Sequence, residues 1–401
     1  MIVAIAALTL ACYTPAFAQK ITEVEGLTLA GTFGELIGPL GSRPAADAIG
    51  LATALEIATT PFGTSSGGFL FRLDPATGLL VRTATTFGPS FADRALTSGE
   101  GQVSIGASFS ASTYKKLGDL SLDRLRIGGV AAASPGATRT GTADLTLSSK
   151  ILVISSTVGI TQNLDVGVAI PMVSIKMAGS SSLVNGSGTL VRGAEGSGTF
   201  GGLGDVAALA KYRFARFGTG LPDPGGIAIA LNMRLPTGDR QALRGLGVYR
   251  TLASLVVSSG ARRFRPHANA GYEWWSDNVE VATSFSQNTP VRVRHQIQYA
   301  AGVELEATPK LTLLVDFLGR HIQGGGQVGF VTDMPSTTGQ GITSLESMVA
   351  LPDGVRKLLL VPGLKMNLKG KLLLSLNAVI TLKHNGLHST VTPVVGIDLS
   401  L

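Results

Sequence analysis

The chain has 401 residues, a formal net charge of +7, 52 glycines, 44% hydrophobic and only 15% charged residues, and a positive mean hydropathy. No run of about 18 apolar residues is present to span a bilayer as a helix, and the basic excess is spread out rather than clustered, which argues against a nucleic-acid surface. Apolar surface without a helical span fits alternating strands in a membrane.

Residues 1–18 read as a secretory signal. An apolar core runs from Ile2 to Cys12, and Pro15 precedes the small-x-small site Ala16-Phe17-Ala18. The n-region departs from the pattern in lacking Lys and Arg, and Thr9-Leu10-Ala11-Cys12 is a poor lipoprotein box. Cys12 is the only cysteine, so the mature chain is expected to carry no disulfide, which suits a bacterial envelope protein. Residues 19–100 form an N-terminal segment that reads either as an internal plug or as a source of two extra strands. Pro44 is placed to open a short helix over AADAIGLATALEIAT, although 53–59 reads almost as well as a strand. A small hairpin follows: Phe69, Phe71 and Leu73 alternate with Leu70 and Arg72, residues 74–78 turn, and 79–86 return.

From residue 101 the alternation is regular, as expected of strands with one apolar and one polar face. Val103, Ile105, Ala107, Phe109 and Ala111 oppose Gln102, Ser104, Ser108 and Ser110. Leu145, Leu147, Ile151 and Val153 alternate with Asp144, Thr146 and Lys150. Leu164, Val166, Val168 and Ile170 follow the turn Thr161-Gln162-Asn163, and the Gly/Ser-rich tract 178–202 reads as a long loop. Val206, Ala208, Ala210, Tyr212 and Phe214 then oppose Asp205, Lys211 and Arg213, and Ile227, Ile229, Leu231 and Met233 oppose Asn232 and Arg234. In 291–317 (VRVRHQIQYAAGVELEATPKLTLLVDF), Val291, Val293, Ile297, Tyr299, Val303 and Leu305 share one parity; Arg292, Arg294, Gln296, Gln298, Glu304 and Glu306 share the other. Past the ATPK turn, Leu313, Val315 and Phe317 oppose Thr312, Asp316 and Arg320. The chain ends on 391–401, with Val391, Val395, Ile397, Leu399 and Leu401 on one face.

These segments make about twelve strands over residues 101–401, or about fourteen with the early hairpin. Short connections near 157–163, 215–224, 261–265, 307–310 and 369–370 take turns with longer ones near 115–142, 176–202, 236–249, 276–290, 321–355 and 383–390. Outer-membrane barrels have short periplasmic turns and long external loops. The expected fold class is therefore all-β, an antiparallel transmembrane β-barrel in the bacterial outer membrane, with the apolar parity toward lipid and the polar parity toward a lumen. The lumen parity collects Lys211, Arg213, Arg234, Arg292, Arg294, Glu304, Glu306, Asp316 and Arg320, with Lys150, Asp205, Glu273 and Lys365. Both signs occur, so no ion-selective ring is expected. Phe109, Tyr114, Tyr212, Phe214, Tyr272, Trp274, Tyr299 and Phe317 read as membrane-interface aromatics. Some inward positions are apolar: Leu314 and Leu318, Leu359 and Val361, Leu373 and Val379. They read either as a hydrophobic solute route or as a seat for the N-terminal segment.

Three stretches carry a resemblance: GGLGDVAALAKYRF (201–214), Met233-Arg234-Leu235-Pro236-Thr237-Gly238-Asp239, and the end VTPVVGIDLSL. Over residues 100–401 the chain resembles the transporter-like outer-membrane proteins grouped with the meta-pathway phenol-degradation family, and more loosely the fatty-acid and aromatic-hydrocarbon channels. The resemblance implies passive uptake of small, poorly water-soluble molecules. The expected partners are outer-membrane lipid and small hydrophobic or aromatic solutes, with the chain a monomer and no nucleic acid bound.

No metal site, cofactor motif or catalytic constellation is expected. His384 and His388 flank Asn385-Gly386-Leu387 and read as a solvated loop rather than a metal spot. His295 falls on the apolar parity unless a bulge turns it. Gly201-Gly202-Leu203-Gly204 and Gly245-Leu246-Gly247 lack the helix and Lys-Ser/Thr of a phosphate cradle. His267, on one parity with Asn269 and Glu273, is the nearest thing to a hydrolase group, and an inward His in a polar lumen is ordinary. Two other readings stand beside the channel: a structural or adhesive barrel without transport, and a soluble secreted ligand-binding β-protein.

Overall fold

The computed structural model describes residues 18–21, 28–40, 43–62, 68–73, 79–82, 84–132, 137–218, 222–260, 263–281, 290–333 and 342–401. The signal-like stretch up to residue 17 and the turn 74–78 lie outside them.

Twelve strands close into an antiparallel barrel. In chain order they are β1 (Val103–Tyr114), β2 (Arg139–Gly159), β3 (Leu164–Asn185), β4 (Ala207–Arg216), β5 (Gly225–Arg234), β6 (Arg250–Ser259), β7 (Phe264–Trp275), β8 (Val291–Thr308), β9 (Leu311–Asp333), β10 (Ile342–Lys369), β11 (Leu372–His384) and β12 (Val391–Ser400). Each pairs with its chain neighbours, and β12 returns to β1 with Val394 opposite Ser110. Closure leaves the barrel no unpaired edge, which a bilayer requires. The outside carries exposed Phe109, Met172, Ile229, Leu255, Phe317 and Ile397, an apolar band that only lipid covers at no cost. A closed barrel with that band is a bacterial outer-membrane barrel. The two short strands of the early hairpin, Phe71–Leu73 and Leu80–Arg82, pair only with each other, so the barrel has twelve strands and not fourteen.

Four strands are far longer than a crossing needs, which is roughly 9–11 residues. They are β2 (21 residues), β3 (22), β9 (23) and β10 (28). Their upper halves stand beyond the membrane at the end with the long connections. Much of what reads in sequence as loop is wall: the Gly/Ser tract 178–202 is the top of β3 plus the strand Leu190–Leu203, paired Gly196 to Gly179. The strand Leu125–Ala132 likewise bridges β2 and β10. Glycine and serine mask strand character because they lack the bulky side chains by which strands are recognised.

Inside that raised wall sit α1 (Leu29–Ile37) and α2 (Arg43–Ala58). Leu29, Phe33, Leu36 and Ile37 give α1 a helical period, and Thr28 caps its start by accepting from Gly31 N at 3.1 Å. α2 is buried around nearly its whole circumference, as its Ala- and Leu-rich sequence permits. Both belong to a core that takes in Leu145, Leu147, Ile151, Ile175, Met177, Val291 and Val293 from the wall.

That core reverses two sequence expectations. Leu145, Leu147, Ile151 and Val153 face inward onto the helices, while Asp144, Thr146 and Lys150 face outward and are exposed. Above the bilayer the outside meets water and the inside meets helix, so the apolar parity is the inner one. β8 makes the same exchange within one strand. Gln296, Gln298 and Glu304 point inward, but Val291 and Val293 are also buried, and Arg292 and Arg294 lie outside. The register shifts between Arg294 and Gln296, with His295 at φ 43. A bulge there flips the parity of everything above it. Arg292 and Arg294 are therefore not lumen residues; Arg292 pairs at 2.8 Å with Glu280 on the outer surface. Tyr114 also turns inward, against Ser149 at 2.8 Å, and is no lipid-interface aromatic.

Candidate functional site

The lumen is occupied by residues 84–99, which run through it without regular structure. An irregular backbone in a closed barrel must find partners on the wall, and inward carboxylates supply them. Asp316 Oδ2 accepts from the backbone N–H groups of Ser90, Phe91 and Ala92 at 3.3, 3.2 and 3.3 Å, and its Oδ1 lies 2.8 Å from His267 Nε2. Glu304 accepts from Gly88 N at 2.9 Å and lies 3.5 Å from the Arg94 guanidinium, both side chains 1% exposed. Asp165 accepts from Ser98 N at 3.1 and 3.0 Å through its two oxygens. Wall lysines serve the carbonyls: Lys211 Nζ donates to Arg94 O at 3.2 Å and Lys365 Nζ to Pro89 O at 2.7 Å.

The second anchor is the C-terminus of α2. The last carbonyls of a helix have no partner within it and carry the negative end of its dipole. Three wall arginines meet them. Arg234 and Arg250 donate to Ala58 O at 2.7 and 3.0 Å, and Arg320 donates to Thr59 O. Arg250 also pairs with Asp205 at 3.0 Å and lies 3.7 Å from Glu273. Two residues before that end of α2, Glu56 accepts from Lys357 Nζ at 2.7 Å and from His384 Nε2 at 3.1 Å. Burial alone would raise the Glu56 carboxyl, but Lys357 and the His384 hydrogen bond outweigh it and hold the pKa at about 2. His384 is thus part of an anchor rather than a solvated loop residue. Its ring stacks on His388 at 5.3 Å, and among the described residues no third metal ligand joins them.

Between the two anchors lies a cavity of about 120 Å³. Phe62, Phe91, Leu318 and Leu359 supply apolar walls; Arg234, Glu273 and Arg320 supply charge. Arg234 stacks over the Phe62 ring at 4.0 Å. The Asn232 side-chain oxygen, on the cavity wall, has no hydrogen-bond partner among the described residues.

The apolar inward residues divide between these features. Leu318 and Leu359 line the cavity. Leu373 packs on Phe69 and Phe87 of the N-terminal segment. Leu314 and Val361 are fully buried; Val379 is half-buried opposite Thr392. Of the polar set, Lys211, Arg213, Arg234, Glu304 and Asp316 are buried inside, Arg320 and Glu306 half-buried. Arg213 pairs with Asp223 at 2.8 Å. Glu304 meets protein, not water, so a substitution there is not mild. Sequence reasoning missed α1, Glu56 and the whole of 84–99 with Arg94. The Leu29-Phe33-Leu36-Ile37 spacing was a legible helical signal; 84–99 has no period to read.

No family model matches the chain, so the meta-pathway likeness stays a resemblance carried by the stretches quoted above. No curated protein matches it. Among solved structures it is similar to an outer membrane channel from Pseudomonas putida F1 (TM-score 0.45, 11% identity, 77% of this chain and 98% of that chain). It is also similar to a Pseudomonas aeruginosa FadL homologue (TM-score 0.35, 10% identity, 86% and 99%) and to the Ralstonia pickettii toluene transporter TbuX (TM-score 0.24, 12% identity, 75% and 90%). At such identities and scores the likenesses say nothing about the lumen, whose reading rests on its own residues.

Proposed function

We propose that the chain is a channel for passive uptake of small hydrophobic or aromatic solutes across the outer membrane, with the N-terminal segment as its plug. The observation that carries this reading is the cavity of about 120 Å³ inside a closed barrel, where the apolar patch of Phe62, Phe91, Leu318 and Leu359 faces the charged Arg234, Glu273 and Arg320. In volume alone it is on the scale of one aromatic ring, since cavities of about 150 Å³ hold benzene. A water-filled porin gains nothing from such walls. A route for poorly soluble molecules does, because apolar contact favours partitioning by about 25 cal/mol per Å² removed from water. Within the plug, α1 and α2 are seated on an apolar core, whereas 84–99 is held to the wall chiefly by hydrogen bonds and ion pairs, which suits that stretch to yield and reseat.

Flux into liposomes tests the reading. Leu318→Asn with Leu359→Asn should cut uptake of an aromatic hydrocarbon roughly thirtyfold, at about 1 kcal/mol per lost apolar contact, while the heat-modifiable gel migration of the folded barrel persists. Unchanged flux in a folded double variant favours a structural barrel instead.

A further inference from the structure

The outer surface carries a ring of cations that the solute route does not use. Arg294 on β8, Arg356 on β10, Lys383 on β11 and Lys150 on β2 all point outward and are exposed, with Lys176 on β3 beside them. His321 on β9 stands half-exposed opposite Arg356. The register places them: Arg294 faces Gln323, Lys383 faces Leu358, and Lys150 faces Ala111 on one side and Ser174 on the other. Barrel strands tilt and stagger, so the residue level with a given one lies roughly one position away from its hydrogen-bonded partner on the next strand. With that shift, Arg294, Arg356, Lys383 and Lys150 fall at one height.

That height is the upper edge of the lipid-facing band. Immediately below on the same strands are exposed Ile297, Leu382 and Ile154, with Phe317 on β9 between them. Above, the wall stands in water. None of Arg294, Arg356, Lys383, Lys150 and Lys176 forms an ion pair with another described residue, whereas Arg292, one step above Arg294 in its outward row, is already paired with Glu280. Asp353, the exposed carboxylate nearest along β10, also stands above the ring. Unpaired cations at the boundary of an apolar band face the headgroup layer, where anionic lipid attracts them.

We propose that this ring binds phosphorylated lipid headgroups in the leaflet at the long-connection end of the barrel. The phosphates would bridge neighbouring cations while the acyl chains lie on the apolar band beneath. Arginine and lysine both serve this role, arginine by a two-pronged contact with the phosphate oxygens.

The test uses the full-length folded barrel in neutral detergent. It is offered equal amounts of a lipid with two headgroup phosphates and a phosphate-free lipid with the same chains, and bound lipid is read by native mass spectrometry. Wild type should retain the phosphorylated lipid about tenfold over the other. R294Q/R356Q/K383Q/K150Q should bring the two to parity without changing heat-modifiable migration, and R356Q/K383Q alone should fall between, serving as the test if the fourfold variant misfolds. K310Q/K371Q, at the short-turn end, should behave as wild type. Undiminished preference in the ring variants overturns the proposal, as does equal loss in K310Q/K371Q, which would mean diffuse attraction. Displacement of the lipid by an equal concentration of inorganic phosphate also overturns it, in favour of a free-anion site.

Discussion

Asp316→Ala should release the plug from the wall. The carboxylate is fully buried and accepts from three consecutive backbone N–H groups, at Ser90, Phe91 and Ala92, besides its contact with His267. Hydrogen bonds to a charged group contribute about 1.5–3 kcal/mol each. They are not additive, and removing the carboxylate also removes its own desolvation cost, so a net loss of about 3–5 kcal/mol is expected, as for other broken buried charge networks. That corresponds to roughly two to four orders of magnitude in the local opening equilibrium. Amide hydrogen exchange at Ser90, Phe91 and Ala92 reports that opening directly. Asp316→Asn keeps one carbonyl acceptor and should fall between wild type and Asp316→Ala. Solute flux should rise with exchange if the segment gates the route. Wild-type protection of these three amides in Asp316→Ala would refute the idea that wall carboxylates hold the plug.

Glu56 gives α2 a pH dependence. Its carboxyl is held from the ordinary 4.5 to about 2 in the folded state, so its contribution is present above about 4.5 and is lost as the pH falls toward 2. Pepsin cleavage within α2 should climb over that window in wild type and start high and flat in Glu56→Gln; identical profiles would rule the anchor out. Val303→Arg faces the bilayer at mid-strand, opposite Val315 and Pro266, and should weaken folding into vesicles by about 2–4 kcal/mol in urea titrations. Glu304→Arg should be comparably harmful for another reason, setting a second buried cation against Arg94 and leaving Gly88 N without its acceptor, and it alone should speed exchange in 84–99. Wild-type stability of Val303→Arg would contradict the outward assignment.

The sequence by itself determined the barrel. A two-residue period and the turn-taking of short and long connections are local properties, legible because each strand meets lipid on one side along its membrane-crossing stretch; whether the early hairpin adds two strands to the twelve was left to the structure, which keeps it out of the wall. Val303 outward and Glu304 inward followed from that alone. What each face meets elsewhere depends on the rest of the molecule, and only the tertiary structure decided it. Once α1 and α2 fill the raised wall, the apolar side of β2 must turn inward, and Lys150 goes to the outer surface. The bulge at His295 does the same for Val291 and Arg292, and one extra residue in a strand leaves no mark in composition. The path of 84–99 was hidden most completely. Its order comes from backbone N–H groups bonded to carboxylates more than two hundred residues later in the chain, Gly88 to Glu304 and Phe91 to Asp316. Backbone groups are the same in every sequence, so no residue pattern in the segment announces where they will bind.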